Sequence, residues 1–394
     1  MARSGTLRKL NYKAVATAME KNGLNNANLA NCVGVTPPMI SRYLEGEALP
    51  RPKIRLKLCR SLKLKIEELM EPIPDLEEPV IAYRTKRNTK TNEEQKAKAR
   101  SLGLALGSLV DYLPFPDISQ APTIPNPRID YDYVQKIVND VRENKEFLGV
   151  GDRPIKLEDF IKLFAQFKVV IIPVFWGNRK GHENALHVYL PKNQVTWIYF
   201  NLDSKKIDFR FWMAHELGHL FSPALKDDPE KWEDFAELFA ESLLFPTTIA
   251  KTAYDDIALK TSQQDRLDVV FHYAKSGEIS PLTVIYAIEK YATREGREVL
   301  VDIKDKSVHY RMRQVDSSYI SMGESIFGES HEERISGEEY ISKSIEVFKT
   351  PFFETLGKAI RNNGLDDAFI RHTLNINQLD AKGIFQALQV WQKK

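Results

Sequence analysis

A chain of 394 residues is longer than one ordinary domain and leaves room for two or three. With 43% hydrophobic and 28% charged residues it has a globular composition, which excludes a fibrous or disordered chain; no apolar stretch is long enough to span a membrane. The net charge of +2 hides an asymmetry: residues 1–72 hold thirteen Lys/Arg against six Asp/Glu, a balance of +7, so the remainder carries −5. A basic head on a mildly acidic body points the head at phosphate.

In chain order, the head reads as five short helices. Tyr12–Lys21 is amphipathic and stops at Asn22-Gly23. Asn25 or Asn26 caps a second helix, with Leu29, Ala30 and Val33 facing inward and Gly34 ending it. Thr36 caps a third, with Pro37 at its first position, Ile40 and Tyr43 on its core face, and Gly46 closing it. Two more helical stretches follow at Lys53–Leu62 and Ile66–Leu69. Cys32 and Cys59 lack metal-ligand spacing and read as small buried hydrophobes in a reducing cytosol. Met1–Leu10 has no apolar core behind its basic residues, so no secretion signal is expected and a cytoplasmic location is.

Glu71–Pro79, acidic and proline-rich, reads as a hinge. Thr91–Tyr112 has a helical pattern, opened by Thr91 and Glu94 in the form of a capping box. The five prolines of Pro114–Pro127 make that segment an extended crossing. An α+β pattern then begins. Val134–Leu148 and Leu157–Phe167 are expected as helices, and Val169–Phe175, Ala185–Leu190 and Val195–Phe200 as strands. Phe211–Leu220 and Trp232–Leu244 are helices, and helix continues to about Thr293. Val299–Arg313 alternates like one or two strands, and Pro351–Lys393 returns to helix.

The segment His215-Glu216-Leu217-Gly218-His219 carries the chemistry. Histidines four apart stand one turn above each other, so both imidazoles reach one ion. Glu216 lies about 100° around the helix, beside that ion, where it can take a proton from water. A random chain of this length shows HExxH on the order of one time in a hundred. The flanking Phe211, Trp212, Ala214, Leu217 and Leu220 make the helix apolar all round, and buried histidines in it need a partner that a metal supplies. Gly218 costs a helix interior about 1 kcal/mol, which suits close approach of another backbone. A catalytic zinc takes three protein ligands. In the otherwise apolar helix that follows, Glu233 is the leading third ligand, with Glu237 the second candidate or a hydrogen-bond acceptor for a ligand histidine.

Arg210-Phe211-Trp212-Met213-Ala214-His215-Glu216-Leu217-Gly218-His219, followed by Glu233, Ala236, Phe239-Ala240, Leu243-Leu244 and Pro246, resembles the ImmA/IrrE metallopeptidases. The likeness reaches upstream through Val138–Phe200 and downstream to about Ala292. It implies a zincin-like α+β fold with an HExxH, gluzincin-like site: Zn2+ held by His215, His219 and Glu233, with Glu216 as general base. In that family the glutamate three before the alanine is the third ligand, and Asn or Asp usually follows the alanine, where this chain has Glu237. Substrate is expected to lie extended along Ala185–Leu190 as an edge strand. His182 and His187, near that strand, are candidates to stabilise an oxyanion.

Gly23–Gly46, with its small Ala30, turn Gly34 and apolar Val35 and Ile40, resembles the Xre/Cro-repressor helix-turn-helix. The resemblance places the third helix in the major groove, with Asn26, Thr36, Pro38, Met39, Ser41 and Arg42 toward double-stranded operator DNA. The bland alternative is a protein-binding bundle in which Arg51, Lys53, Arg55 and Lys57 form a solvated face. Together the halves resemble fused Xre–ImmA/IrrE regulators, in which Ala82-Tyr83-Arg84 looks like a recurring connector. The expected organisation is a helix-turn-helix domain at 1–72, a linker and connecting helix at 73–127, a peptidase domain at 128–295 and an accessory region at 296–394. The expected function is a DNA-binding regulator whose zinc endopeptidase cleaves a repressor or partner protein. The alternative is a repressor or antitoxin whose peptidase-like part binds a partner such as a toxin, or senses a signal, without cleaving. A homodimer is compatible with either.

Overall fold

The computed structural model describes residues 10–45, 50, 52–69, 79–82, 93–115, 121–177, 184–316, 318–328 and 335–391. Met1–Glu77 and Glu78–Lys394 form two compact units. The expected features at 71–78, Tyr83, Arg84, Thr91 and Gly46 lie outside the described residues.

The first unit contains helices α1 (Tyr12–Lys21), α2 (Asn26–Val33), α3 (Pro37–Leu44), α4 (Pro52–Leu62) and α5 (Ile66–Leu69). Asn11 and Asn25 cap α1 and α2 by accepting the N–H groups of Ala14 and Asn28. Gly34 ends α2 at φ +80°, the left-handed region that glycine tolerates best. Thr36 occupies the cap position of α3 without a side-chain capping bond. Leu29, Ala30, Val33, Ile40, Tyr43, Leu58 and Leu62 close the core. Cys32 does not join them: it lies on the outer side of α2 and is exposed, while Cys59 is half-buried. Inward positions 29, 30 and 33 put residue 32 on the opposite side of the helix.

The second unit begins with β1 (Val80–Ala82), α6 (Glu93–Gly107) and a 3-10 turn at Val110–Tyr112. Next come α7 (Tyr131–Glu143), α8 (Leu157–Gln166), β2 (Val170–Val174), β3 (Ala185–Leu190), β4 (Val195–Asn201), α9 (Lys206–Phe221) and α10 (Pro229–Leu244). Helices α11 (Thr247–Ala258), α12 (Gln263–Gly277), α13 (Pro281–Arg294), α14 (Lys306–Asp316) and α15 (Met322–Phe327) follow. The chain finishes with α16 (Gly337–Phe348), α17 (Phe352–Asn363), α18 (Asp367–Leu374) and α19 (Gln378–Trp391).

The sheet runs β1-β3-β4-β2, with β3 antiparallel to both neighbours and β2 parallel to β4. Strand periodicity sorts its side chains into two cores. Ile171, Ile198 and Phe200 join the core that contains α8 to α13. Val170, Ile172, Leu186, Val188, Trp197 and Tyr199 join a second core built with α6 and α16 to α19. The region beyond residue 295 therefore shares with α6 the covering of one face of the sheet. It also blunts the β2 edge, where the Tyr340 and Thr350 hydroxyls donate to the carbonyls of Pro173 and Ile171.

Two further expectations need correction. Ala185–Leu190 is not an open edge, because Val80, Ile81 and Ala82 pair with Tyr189, Val188 and His187. Val299–Arg313 contains no strand; it turns and enters α14. The Asp302 and Asp305 carboxylates accept the N–H groups of Lys304 and Ser307, which redirects the backbone into a helix. Buried Val308 and Met312, four apart, then set the period.

Arg142 ties the helical side together from α7. Its guanidinium donates to the carbonyls of Gly151, Arg153 and Leu243 at 2.7–2.9 Å, and burial lowers its pKa to about 10. Arg142→Leu leaves those carbonyls without their donor. Stability measured by urea unfolding should fall by about 3 kcal/mol; an unchanged midpoint would remove the anchoring role.

Candidate functional site

Helix α9 is buried on every side: Phe209, Trp212, Met213, Ala214, Leu217 and Phe221 join the core along with His215, Glu216 and His219. Its start is held from the C-terminal region, where the Ile320 carbonyl accepts the Lys206 N–H at 2.9 Å. Its end is closed by Ser222, whose hydroxyl donates to the Gly218 carbonyl at 2.7 Å. Asp228 caps α10, with Pro229 at its first position. The helices meet at Gly218, where an added Cβ would lie 2.9 Å from Ala236 Cα and 3.3 Å from Ala236 Cβ. This contact brings Glu233, one turn before Ala236, onto the histidine pair.

The Nε2 atoms of His215 and His219 lie 3.1 Å apart. Each is 3.3 Å from a different oxygen of the Glu233 carboxylate. Tetrahedral zinc with bonds of 2.0–2.1 Å spaces its ligand atoms by about 3.4 Å, so this set fits such an ion. Burial lowers the His219 pKa, an effect that Glu233 partly offsets, and so favours the neutral imidazole a metal requires. Burial alone would raise Glu233, but the two ring nitrogens outweigh it and hold the carboxyl at about 2. Neither histidine has a partner for Nδ1 among the described residues.

Glu216 is buried to 3% exposure, and its Oε2 lies 3.3 Å from Nδ1 of His187. Trp232 stands edge-on to His219 with ring centroids 4.5 Å apart, walling the pair on one side. Sequence reasoning passed over Trp232; its position directly before Glu233 was the available signal. Glu237 is exposed and is not among the groups that converge with the two histidines. His182 lies outside the described residues.

In the first unit, Thr36, Pro38 and Arg42 are exposed on and before α3, and Met39 is half-buried against the core. Asn26 and Ser41 bond each other, Nδ2 to Oγ at 3.2 Å, joining α2 to α3. Two of the cations read as a solvated face have structural tasks. Lys57 donates to the Val33 carbonyl at 2.9 Å, at the negative end of α2, and Arg55 donates to the Pro50 carbonyl. Arg51 lies outside the described residues.

Residues 16–75 match the Cro/C1-type HTH DNA-binding domain, so the chain carries a DNA-binding domain of that type. No curated protein and no solved structure matches the chain. No helix among the described residues is long and apolar enough to cross a membrane.

Gly218→Ala tests the helix crossing. An isolated helix would gain about 1 kcal/mol from this change. Here the new methyl must force α9 from α10, and a net loss of about 1–3 kcal/mol is expected in thermal unfolding. A stabilised variant would show the crossing to be looser than described.

Proposed function

We propose that this chain is a DNA-bound regulator whose second unit is a zinc-dependent endopeptidase of the ImmA/IrrE, zincin-like type, acting on a repressor or other partner protein. The observation that carries this reading is the convergence of His215, His219 and Glu233 on one point, with Glu216 beside them. Zinc held by those three residues would polarise a carbonyl and bring the pKa of a water toward about 7. Glu216 takes the proton of the attacking water and returns it to the leaving nitrogen as the C–N bond breaks. Buried Trp232, edge-on to the rings of His187 and His219, closes that side of the site.

The test is expression with the neighbouring gene product. Wild type and Glu216→Gln should each bind one zinc and His219→Ala none, while only wild type cuts the partner. The Gln variant should lose about 100-fold or more of the rate. Equal cutting by wild type and Glu216→Gln, or no zinc in either, would overturn the reading.

One observation favours a second reading. The β3 side on which an extended substrate was expected is taken by Val80–Ala82. A repressor or antitoxin that holds a partner without cleaving it fits that arrangement, and a stable, uncut complex in the same experiment selects it.

Arg42, exposed on α3, is the side chain we assign to a base or phosphate. Arg42→Ala should weaken operator binding about tenfold at fixed salt without changing the melting temperature. Unchanged affinity would withdraw that assignment.

A further inference from the structure

We propose that His187 is a positioning residue for Glu216, donating its Nδ1–H to the carboxylate and fixing its orientation toward the attacking water. This rests on the peptidase reading for the role of Glu216, whereas the contact itself stands on geometry. Nδ1 of His187 lies 3.3 Å from Glu216 Oε2, and the two residues are 2% and 3% exposed. The pair is out of line for a hydrogen bond, and neither atom has a hydrogen-bond partner among the described residues. A buried donor and a buried acceptor are each costly to leave unpaired, so a ring orientation that joins them is favoured.

The fold leaves His187 little choice of direction. It sits in β3 between Ile198 of β4 and Ala82 of β1, so its backbone is held from both sides. Leu186 and Val188 belong to the second core, so alternation turns His187 to the α9 face. There its ring stands edge-on to His219 and Trp232, with both centroid distances 5.9 Å. A leucine would fill the same volume without a polar atom. What a histidine adds in this place is a donor for the carboxylate it meets.

Two substitutions separate positioning from packing. His187→Leu keeps the bulk and removes the donor, while His187→Asn carries an amide N–H at nearly the place of Nδ1. In the full-length, zinc-loaded chain, His187→Leu should lower kcat about 10- to 100-fold with KM and zinc content unchanged. His187→Asn should recover most of that loss. In the zinc-free chain, nitrogen-15 NMR of the imidazoles should find the His187 proton on Nδ1, with a resonance that moves in Glu216→Ala. Full activity in His187→Leu, an Asn variant no better than Leu, or a proton on Nε2 alone would each overturn the proposal. If wild type has no turnover, the peptidase reading fails by itself, and the NMR result decides whether His187 binds Glu216.

Discussion

The close crossing of α9 and α10 at Gly218 and Ala236 is the constraint on which the candidate site depends. Histidines four apart on one helix define only a line of two nitrogens. A third ligand must arrive from another element, at a height set by where the two backbones touch. Ala236 meets Gly218 in the turn that separates His215 from His219, so Glu233 falls level with both rings. Any side chain at residue 218 would lift α10 away, and Glu233 is too short to follow. The glycine that weakens α9 as a helix is thus what lets it form a site with its neighbour.

That crossing needs a rigid floor, which the sheet supplies. Each strand gives alternate residues to two cores, and both must be filled for the strands to stay in place. Helices α7 to α15 fill most of one. The other is filled by elements far apart in sequence, α6 before the sheet and α16 to α19 well after it. The Ile320–Met322 segment adds backbone bonds to Ser204 and Lys206 at the turn into α9. The C-terminal region thus supports the helix that bears the candidate site.

What could be read from the sequence follows from the range of each interaction. Caps and turns act over three or four residues, and Asn25, Gly34 and Pro37 mark the helices of the first unit where the structure has them. The HExxH spacing lies within one helix, so His215 and His219 were legible as a pair. Gly218 was legible as a close approach, because glycine weakens a helix interior and a buried helix gains from it where another backbone comes near. Three features were not. Val299–Val301–Ile303 alternates like a strand, but two aspartates bond the backbone locally and turn it into helix. The pairing of Val80–Ala82 with β3 joins residues more than a hundred apart, and nothing in three apolar residues announces a partner. His187 was visible as a histidine near the site, yet the base it faces lies on another element.

Val80–Ala82 follows the DNA-binding unit in sequence and pairs with the strand that bears His187. Three residues make a short strand, and short pairings contribute little to the stability of a sheet. Ile81 is nevertheless packed on the second core, so the strand is held by a side chain as well as by its backbone. Residue 82 lies opposite residue 187, whose ring meets Glu216. Removing β1 from the sheet would expose a backbone edge one residue from the candidate base and free β3 on that side. The ladder of β1 thus holds the strand that bears His187 on the side opposite β4.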